Sequence, residues 1–440
     1  MRTLSSLLAL TLILPALRGE HDWPQFRGPG ARGVSAQEGL PERWSATENV
    51  AWSVELPGVG WSSPIVWGDR VFVTTALSSG DEPQPQRGLY MGVSKRSESE
   101  HAFLVLCFDL ASGEMLWDRA AHEGVPPHSI HGKNTYASET PVTDGERVYA
   151  YFGNVGLFAL DMQGEPLWER RWEPADTRFG WGTAASPAVH AGRLYVVSDN
   201  EKASWLEALD AKTGETLWRK EREEKSNWST PFVWQNEKRT ELVTPGTGTV
   251  RSYGLDGKVL WTLKGMSGIT SATPYASHGL VYVTSGFVMS KERPIYAIRP
   301  GASGDVSLEA GSTANEFVAW SHPQGAPYIP STIVVGERLY SLLDNGVLAC
   351  YDAETGATIY DKKRVRAGSG YSASPWSYGN KLFFLDEDGM TTVVPAGEEF
   401  AVERENDLGE MCMATPAIGE GSLLIRTLTR LYCIRAGKEG

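Results

Sequence analysis

Ser186-Pro187-Ala188-Val189, then Arg193-Leu194-Tyr195-Val196-Val197, then Ala208-Leu209-Asp210-Ala211-Lys212-Thr213-Gly214-Glu215-Thr216-Leu217-Trp218: this stretch is one copy of a unit that recurs eight times in the 440-residue chain. A Pro after a small residue opens the first strand, where a missing N–H is tolerated. A Gly-containing turn leads into an apolar second strand. The third strand ends in a small residue and an Asp. The turn Asp-x-x-x-Gly follows, its Asp holding its own backbone and its Gly supplying φ > 0. A fourth strand then carries a large aromatic. The opening recurs as Ser63-Pro64, Thr140-Pro141, Thr230-Pro231, Thr273-Pro274, Ser374-Pro375 and Thr415-Pro416, and as Ser331-Thr332 with Thr in place of Pro. The aromatics are Trp117, Trp168, Trp218, Trp261, Trp320 and Tyr360, expected to pack between neighbouring units.

Undecorated units are 41–46 residues long, the size of a four-stranded antiparallel propeller blade. Two intervals are longer, at 77 and 58 residues. The first carries insertions at Ser78 to His101 and Ala120 to Asn134, and the second a Gly/Ser-rich insertion around Pro300 to Asn315. The last unit ends at Leu431-Tyr432-Cys433-Ile434 without a fourth strand. Trp52 precedes Pro64 by 12 residues, the spacing that separates Trp320 from the next opening. The strand around Trp52 is therefore expected to complete the eighth blade and hide the edges an open ring would expose. The predicted fold is all-β, an eight-bladed propeller over residues 49–440, preceded by an arm over 20–48.

Met1-Arg2 and the apolar run Leu4 to Leu17 read as a signal peptide over residues 1–19, too short to span a bilayer. No Cys ends that run to take a lipid anchor, so the expectation is an exported, soluble, periplasmic or extracellular monomer without a transmembrane segment. Net charge is -13, and loss of Arg2 and Arg18 with residues 1–19 takes it to about -15. Nucleic acid is excluded as a partner, because phosphate neutralisation needs clustered Lys and Arg. Cys107, Cys350 and Cys433 occupy the slot that Ala159, Ala208 and Ala297 fill in other units, and so read as free, buried, small apolar residues. The pairing of Cys412 stays open.

With these residues laid out, the chain resembles the PQQ-like, quinoprotein-type β-propeller repeat family, carried by Ala208-x-Asp210-x-x-Thr213-Gly214-x-x-x-Trp218. Trp23-Pro24-Gln25-Phe26-Arg27-Gly28 and Lys133-Asn134-Thr135-Tyr136-Ala137-Ser138 are similar to stretches of secreted bacterial members. The resemblance implies the propeller fold. It spans both quinone-dependent dehydrogenases and non-catalytic scaffolds such as the BamB-type outer-membrane assembly lipoprotein. A propeller hosts unrelated functions, so the site must decide.

A quinoprotein dehydrogenase needs an aromatic floor for PQQ, a Ca²⁺ site of Glu, Asn and Asp oxygens, and a carboxylate base. Family alcohol dehydrogenases place a vicinal Cys-Cys disulfide against the cofactor; here Cys412 is followed by Met413, and no haem Cys-x-x-Cys-His is present. No catalytic residue and no cofactor are assigned. His122, His128 and His131 fall in one Pro- and Gly-containing segment and read as solvated loop histidines or, more weakly, as metal ligands. Asp386, Glu387 and Asp388 read as residues of a hairpin turn. The candidate ligand-binding set lies on loops that enter the first strands around the central funnel: Trp61, Lys133, Asn134, Tyr136, Asn227, Trp228, Tyr328 and Tyr371. Aromatics around a polar rim suit a peptide, a glycan or a small planar ligand, or else wedge between blades. The expected function is a non-catalytic binding or scaffold propeller engaging a protein or small molecule there. The alternatives are a PQQ-dependent oxidoreductase and an outer-membrane protein assembly factor.

Overall fold

The computed structural model describes residues 21–81, 83–88, 91–368 and 370–437; the signal peptide expected at 1–19 lies outside them. Eight antiparallel sheets form the eight blades: 1 (65–124), 2 (142–170), 3 (188–222), 4 (232–264), 5 (275–322), 6 (333–364), 7 (376–407) and 8 (417–434). Each first strand starts on the residue after the opening Pro or Thr. The ring closes as expected, with Val50–Glu55 pairing antiparallel to the last strand and Trp52 opposite Cys433. No helix among the described residues is long and apolar enough to cross a membrane.

The small slot and the large aromatic explain one another. Cys107 pairs with Trp117, Ala159 with Trp168, Ala208 with Trp218, Ala297 with Trp320 and Cys350 with Tyr360. A small residue directly across the ladder leaves room for the ring to turn toward the next blade. There the indole lies against a Gly of the next blade's last turn and donates to that turn's backbone. Trp52 reaches Leu110 O at 2.9 Å, Trp117 Met162 O at 3.1 Å, Trp168 Ala211 O at 3.2 Å, Trp218 Leu255 O at 2.8 Å and Trp320 Ala353 O at 2.9 Å. All four cysteines are free and buried, and burial pushes the Cys107 thiol up to about 12 and Cys350 to about 11.

Trp261 breaks the rule, for a legible reason. The insertion in blade 5 replaces the turn on which it would dock, and Gly304–Asp305 lies parallel to Trp261 and Thr262 as a fifth strand of blade 4. The indole donates instead to Glu241 Oε2 of its own blade at 2.8 Å, a fully buried carboxylate that also pairs with Arg239 at 3.2 Å.

The blade 1 insertions differ from their expected outline. Strands Arg70–Ser78, His101–Asp109 and Met115–Gly124 run on past the usual blade length, so Ala120 to Gly124 extends the fourth strand. His122 stands in that strand opposite Phe103, not in a loop. Beyond it, Ser94–Lys95 pairs with Ile130–His131 in a small ribbon.

The arm runs across one face of the ring. Trp23 exchanges two 2.9 Å backbone bonds with Val66 of blade 1, and Pro24 O accepts from Thr143 of blade 2 at 3.0 Å. The buried Arg27 Nη2 donates to Thr332 O of blade 6 at 2.8 Å, its guanidinium 5.2 Å from the Tyr275 ring of blade 5. Ser35 then bonds Ser377 of blade 7, and Gln37 Oε1 accepts from Gly421 of blade 8. Gly28 ends the Trp-Pro-Gln-Phe-Arg-Gly run because its φ is +69° and a Cβ there would meet the Trp23 ring at 2.4 Å.

Candidate functional site

The small residue that opens each unit lines the central channel. Ser63, Thr140, Ser186 and Thr230 face it on one side, and Thr273, Ser331, Ser374 and Thr415 on the other. Six of the eight blade-to-blade steps around the axis are joined by a hydrogen bond between them. Ser63 N donates to Thr140 Oγ1 at 3.0 Å, Thr140 N to Ser186 Oγ at 2.9 Å and Ser186 N to Thr230 Oγ1 at 3.1 Å. Thr273 N reaches Ser331 Oγ at 2.9 Å, Ser331 N Ser374 Oγ at 3.0 Å and Ser374 N Thr415 Oγ1 at 2.9 Å. The eight hydroxyls thus form a girdle. Its signal was in the sequence: all eight opening residues are Ser or Thr, never Ala or Gly.

Phe26 of the arm lies at one end of this channel, against the cavity wall. At the other end the cavity widens into a mouth walled by Trp61, Trp181, Trp228 and Tyr328, with Lys133, Asn134 and His131 on its rim; its volume is about 230 Å³. Two of the indoles are held by their polar ends. Trp61 Nε1 donates to Lys133 O at 2.9 Å and Trp228 Nε1 to Gly182 O at 2.8 Å. Trp181 packs on Trp228 with centroids 6.0 Å apart and receives the edge of His131 at 5.2 Å. The Tyr328 loop is pinned by Asp344, whose carboxylate accepts the N–H of Tyr328 at 3.0 Å and of Ile329 at 2.9 Å. Burial raises the Asp344 pKa, and those N–H bonds oppose the shift.

Five of the eight sequence candidates meet at this mouth: Trp61, Lys133, Asn134, Trp228 and Tyr328. Three do not. The Tyr136 hydroxyl donates to His128 O at 3.0 Å and its ring abuts His101, under the insertion. Asn227 bonds Lys225 O, Thr247 and Thr270 between blades. Tyr371 is buried in the core shared by blades 6 and 7. Trp181 belongs to the wall and was missed; it lies five residues before its blade's opening, farther than Trp61 or Trp228 from theirs.

The three histidines do not converge. His122 meets Arg171 at 3.2 Å, His128 meets Asp176 at 3.3 Å, and His131 accepts from Gly92 N at 2.8 Å through Nε2. Burial lowers His122 and His131 from the usual imidazole range, aided by Arg171 and Lys133 respectively. No group of three His, Cys, Asp or Glu among the described residues could hold a metal ion.

The blade 1 insertions fold over the mouth and are clamped to blade 7. Lys133 Nζ forms an ion pair with Glu387, a fully buried carboxylate that also accepts from Ser372 Oγ and Gly88 N, each at 2.8 Å. Arg87 pairs with Asp388. The expected turn is present, with Gly389 N donating to Asp386 O at 3.1 Å, but its second and third acids serve as the clasp. A buried pair satisfied on both sides resists opening, since removing either partner strands a charge.

Residues 101–233 and 202–332, overlapping segments that together span more than half of the chain, match the family described as outer membrane protein assembly factor BamB. No curated protein matches the sequence. Among solved structures, BamB from Moraxella catarrhalis superposes with a TM-score of 0.53 at 13% identity, covering 84% of this chain and 99% of that one. The quinohemoprotein alcohol dehydrogenase of Comamonas testosteroni gives 0.59 at 12% identity, covering 95% of this chain and 81% of that one. The computationally designed Ika8 protein gives 0.53 at 12%, covering 81% and 100%. A shared shape that includes an assembly factor, an oxidoreductase and a designed protein speaks for the fold alone. The repeat, the closed ring of eight blades and the family match together make this chain a member of the PQQ-like β-propeller family, within the group described as outer membrane protein assembly factor BamB.

Proposed function

We propose that the protein is an exported, non-catalytic binding propeller that receives its ligand in the aromatic mouth of the central channel. The observation that carries this reading is the wall itself: aromatic faces, with the indole N–H groups of Trp61 and Trp228 tied down, a girdle of hydroxyls, and no carboxylate among the described residues. Of the acids nearby, Glu387 is committed to Lys133 and Asp344 to backbone N–H groups, and Glu139, one residue before Thr140, is not part of the channel wall. A general base needs a free carboxylate or imidazole within reach of the reacting atom.

The oxidoreductase alternative implies PQQ held with Ca²⁺. A hard cation of that kind takes six or more oxygens, several from carboxylates. The cavity wall offers Asn134 and hydroxyls, and Asn134 Oδ1 already accepts from Thr135 N at 2.8 Å and Ser138 Oγ at 2.6 Å. The donor set does not fit the ion. The family's description favours, as a second reading, a role in protein assembly with a polypeptide segment at the same mouth.

Ala184 is a half-buried residue of the mouth wall, so Ala184→Trp fills the cavity from its side. A mixed panel of neutral, anionic and cationic compounds and short peptides, screened by thermal shift, is expected to give hits on the wild type that vanish in Ala184→Trp. Hits that all persist in the filled variant would place binding elsewhere and overturn the reading.

A further inference from the structure

The hydroxyl girdle has an unspent half. In Thr140, Ser186, Thr230, Ser331, Ser374 and Thr415 the oxygen accepts a backbone N–H from the preceding blade. The O–H proton of each has no acceptor among the described residues, and each side chain is more than nine-tenths buried while facing the channel. A hydroxyl carries one proton and two lone pairs, so each of these still has one donor and one lone pair to offer. Polar hydrogen-bonding capacity that is buried and unused costs free energy until water or a ligand meets it.

The rest of the wall narrows what that ligand is. Among the described residues Lys133 is its one charged side chain, and Glu387 neutralises it. An anion would find no free cation here to offset its desolvation, and an ammonium would find aromatic faces but no carboxylate. A purely apolar molecule would leave the girdle unsatisfied. What remains is an uncharged molecule with both C–H faces and many hydroxyls. Its apolar face would lie on Trp228 and Trp61, whose indole N–H groups are occupied, and its hydroxyls would alternate with those of the girdle as donors and acceptors. We infer that the channel takes an uncharged carbohydrate, with a pyranose ring seated between the aromatic mouth and the hydroxyl girdle. This rests on the channel being the binding site.

The test titrates the full-length protein with methyl glucopyranoside, methyl mannopyranoside, methyl galactopyranoside and N-acetylglucosamine as neutral probes, glucose 6-phosphate as an anion and choline as a cation. Tryptophan emission reads saturation, and saturation-transfer NMR reads which probe protons touch the protein. The expected result is saturable binding of at least one neutral pyranoside, with transfer strongest to its ring C–H protons and affinity about ten-fold weaker in Trp228→Ala. Glucose 6-phosphate and choline are expected to bind less tightly than that pyranoside. Tighter choline binding would overturn the carbohydrate assignment in favour of an aromatic cation cage, and tighter glucose 6-phosphate binding would overturn it in favour of an anion site. Binding of none of the four neutral probes overturns it as well. The underlying reading fails separately, if a neutral pyranoside binds Ala184→Trp as tightly as wild type.

Discussion

Glu139 sits one residue before a girdle hydroxyl, 2% exposed, with Oε1 lacking a partner. Burial raises its pKa to about 7, a shift that bonds to Thr183 and to nearby backbone only partly offset. The folded state therefore holds a proton that the unfolded chain has already released between the model-peptide value and about 7. Its contribution to stability is complete below the unfolded pKa and is lost as pH rises through the folded one. Glu139→Gln keeps the shape without the titration. Urea unfolding of the two proteins should show the variant gaining on the wild type as pH rises from acid to 8, by about 3 kcal/mol over the interval. A pH-independent difference would refute the assignment. Single residues were also where sequence reading was weakest. Tyr371 and Trp61 both precede a blade opening, yet one fills a core and the other a mouth. Loop spacing counts residues but carries no periodicity to say which way a side chain hangs. The girdle was missed for another reason: a Ser or Thr before a Pro reads as turn chemistry until the ring brings all eight together.

The blade was legible because its signals are local and repeated. Alternation, the Asp-x-x-x-Gly turn and the spaced Trp each follow from strand and turn geometry, so eight imperfect copies reinforce one another. What the copies could not show was the partner of each Trp, which lies in the next blade. Nor could they show Trp261 turning inward, since that depends on an insertion displacing a turn one blade away. The docking account makes a paired prediction. Gly214 has φ +73° and a Cβ there would sit 2.6 Å from the Trp168 ring, whereas Gly192, at φ +72°, has nothing within 4 Å. Gly192→Ala should cost only the left-handed strain, about 1 kcal/mol. Gly214→Ala adds overpacking of a docked indole and should cost roughly 3 kcal/mol. Equal shifts in the urea midpoints would mean that the indole–glycine contact contributes nothing.

At the scale of the whole molecule, ring closure by Val50–Glu55 was read correctly from one spacing, because a missing fourth strand and a spare first strand have a single economical solution. The arm's course was not legible, since Trp23 to Gly33 has neither strand nor helix periodicity and is ordered by the blades it crosses. Its effect is to set Phe26 at one end of the channel while the clamped insertions shape the other. The central claim is that this channel binds without catalysing. Its most direct test is reconstitution of the purified protein with PQQ and Ca²⁺, following tryptophan emission and dye-linked oxidation of alcohols and sugars together. The account predicts no saturable, Ca²⁺-dependent quenching and no turnover; saturable quenching accompanied by turnover would contradict it and make the protein an oxidoreductase.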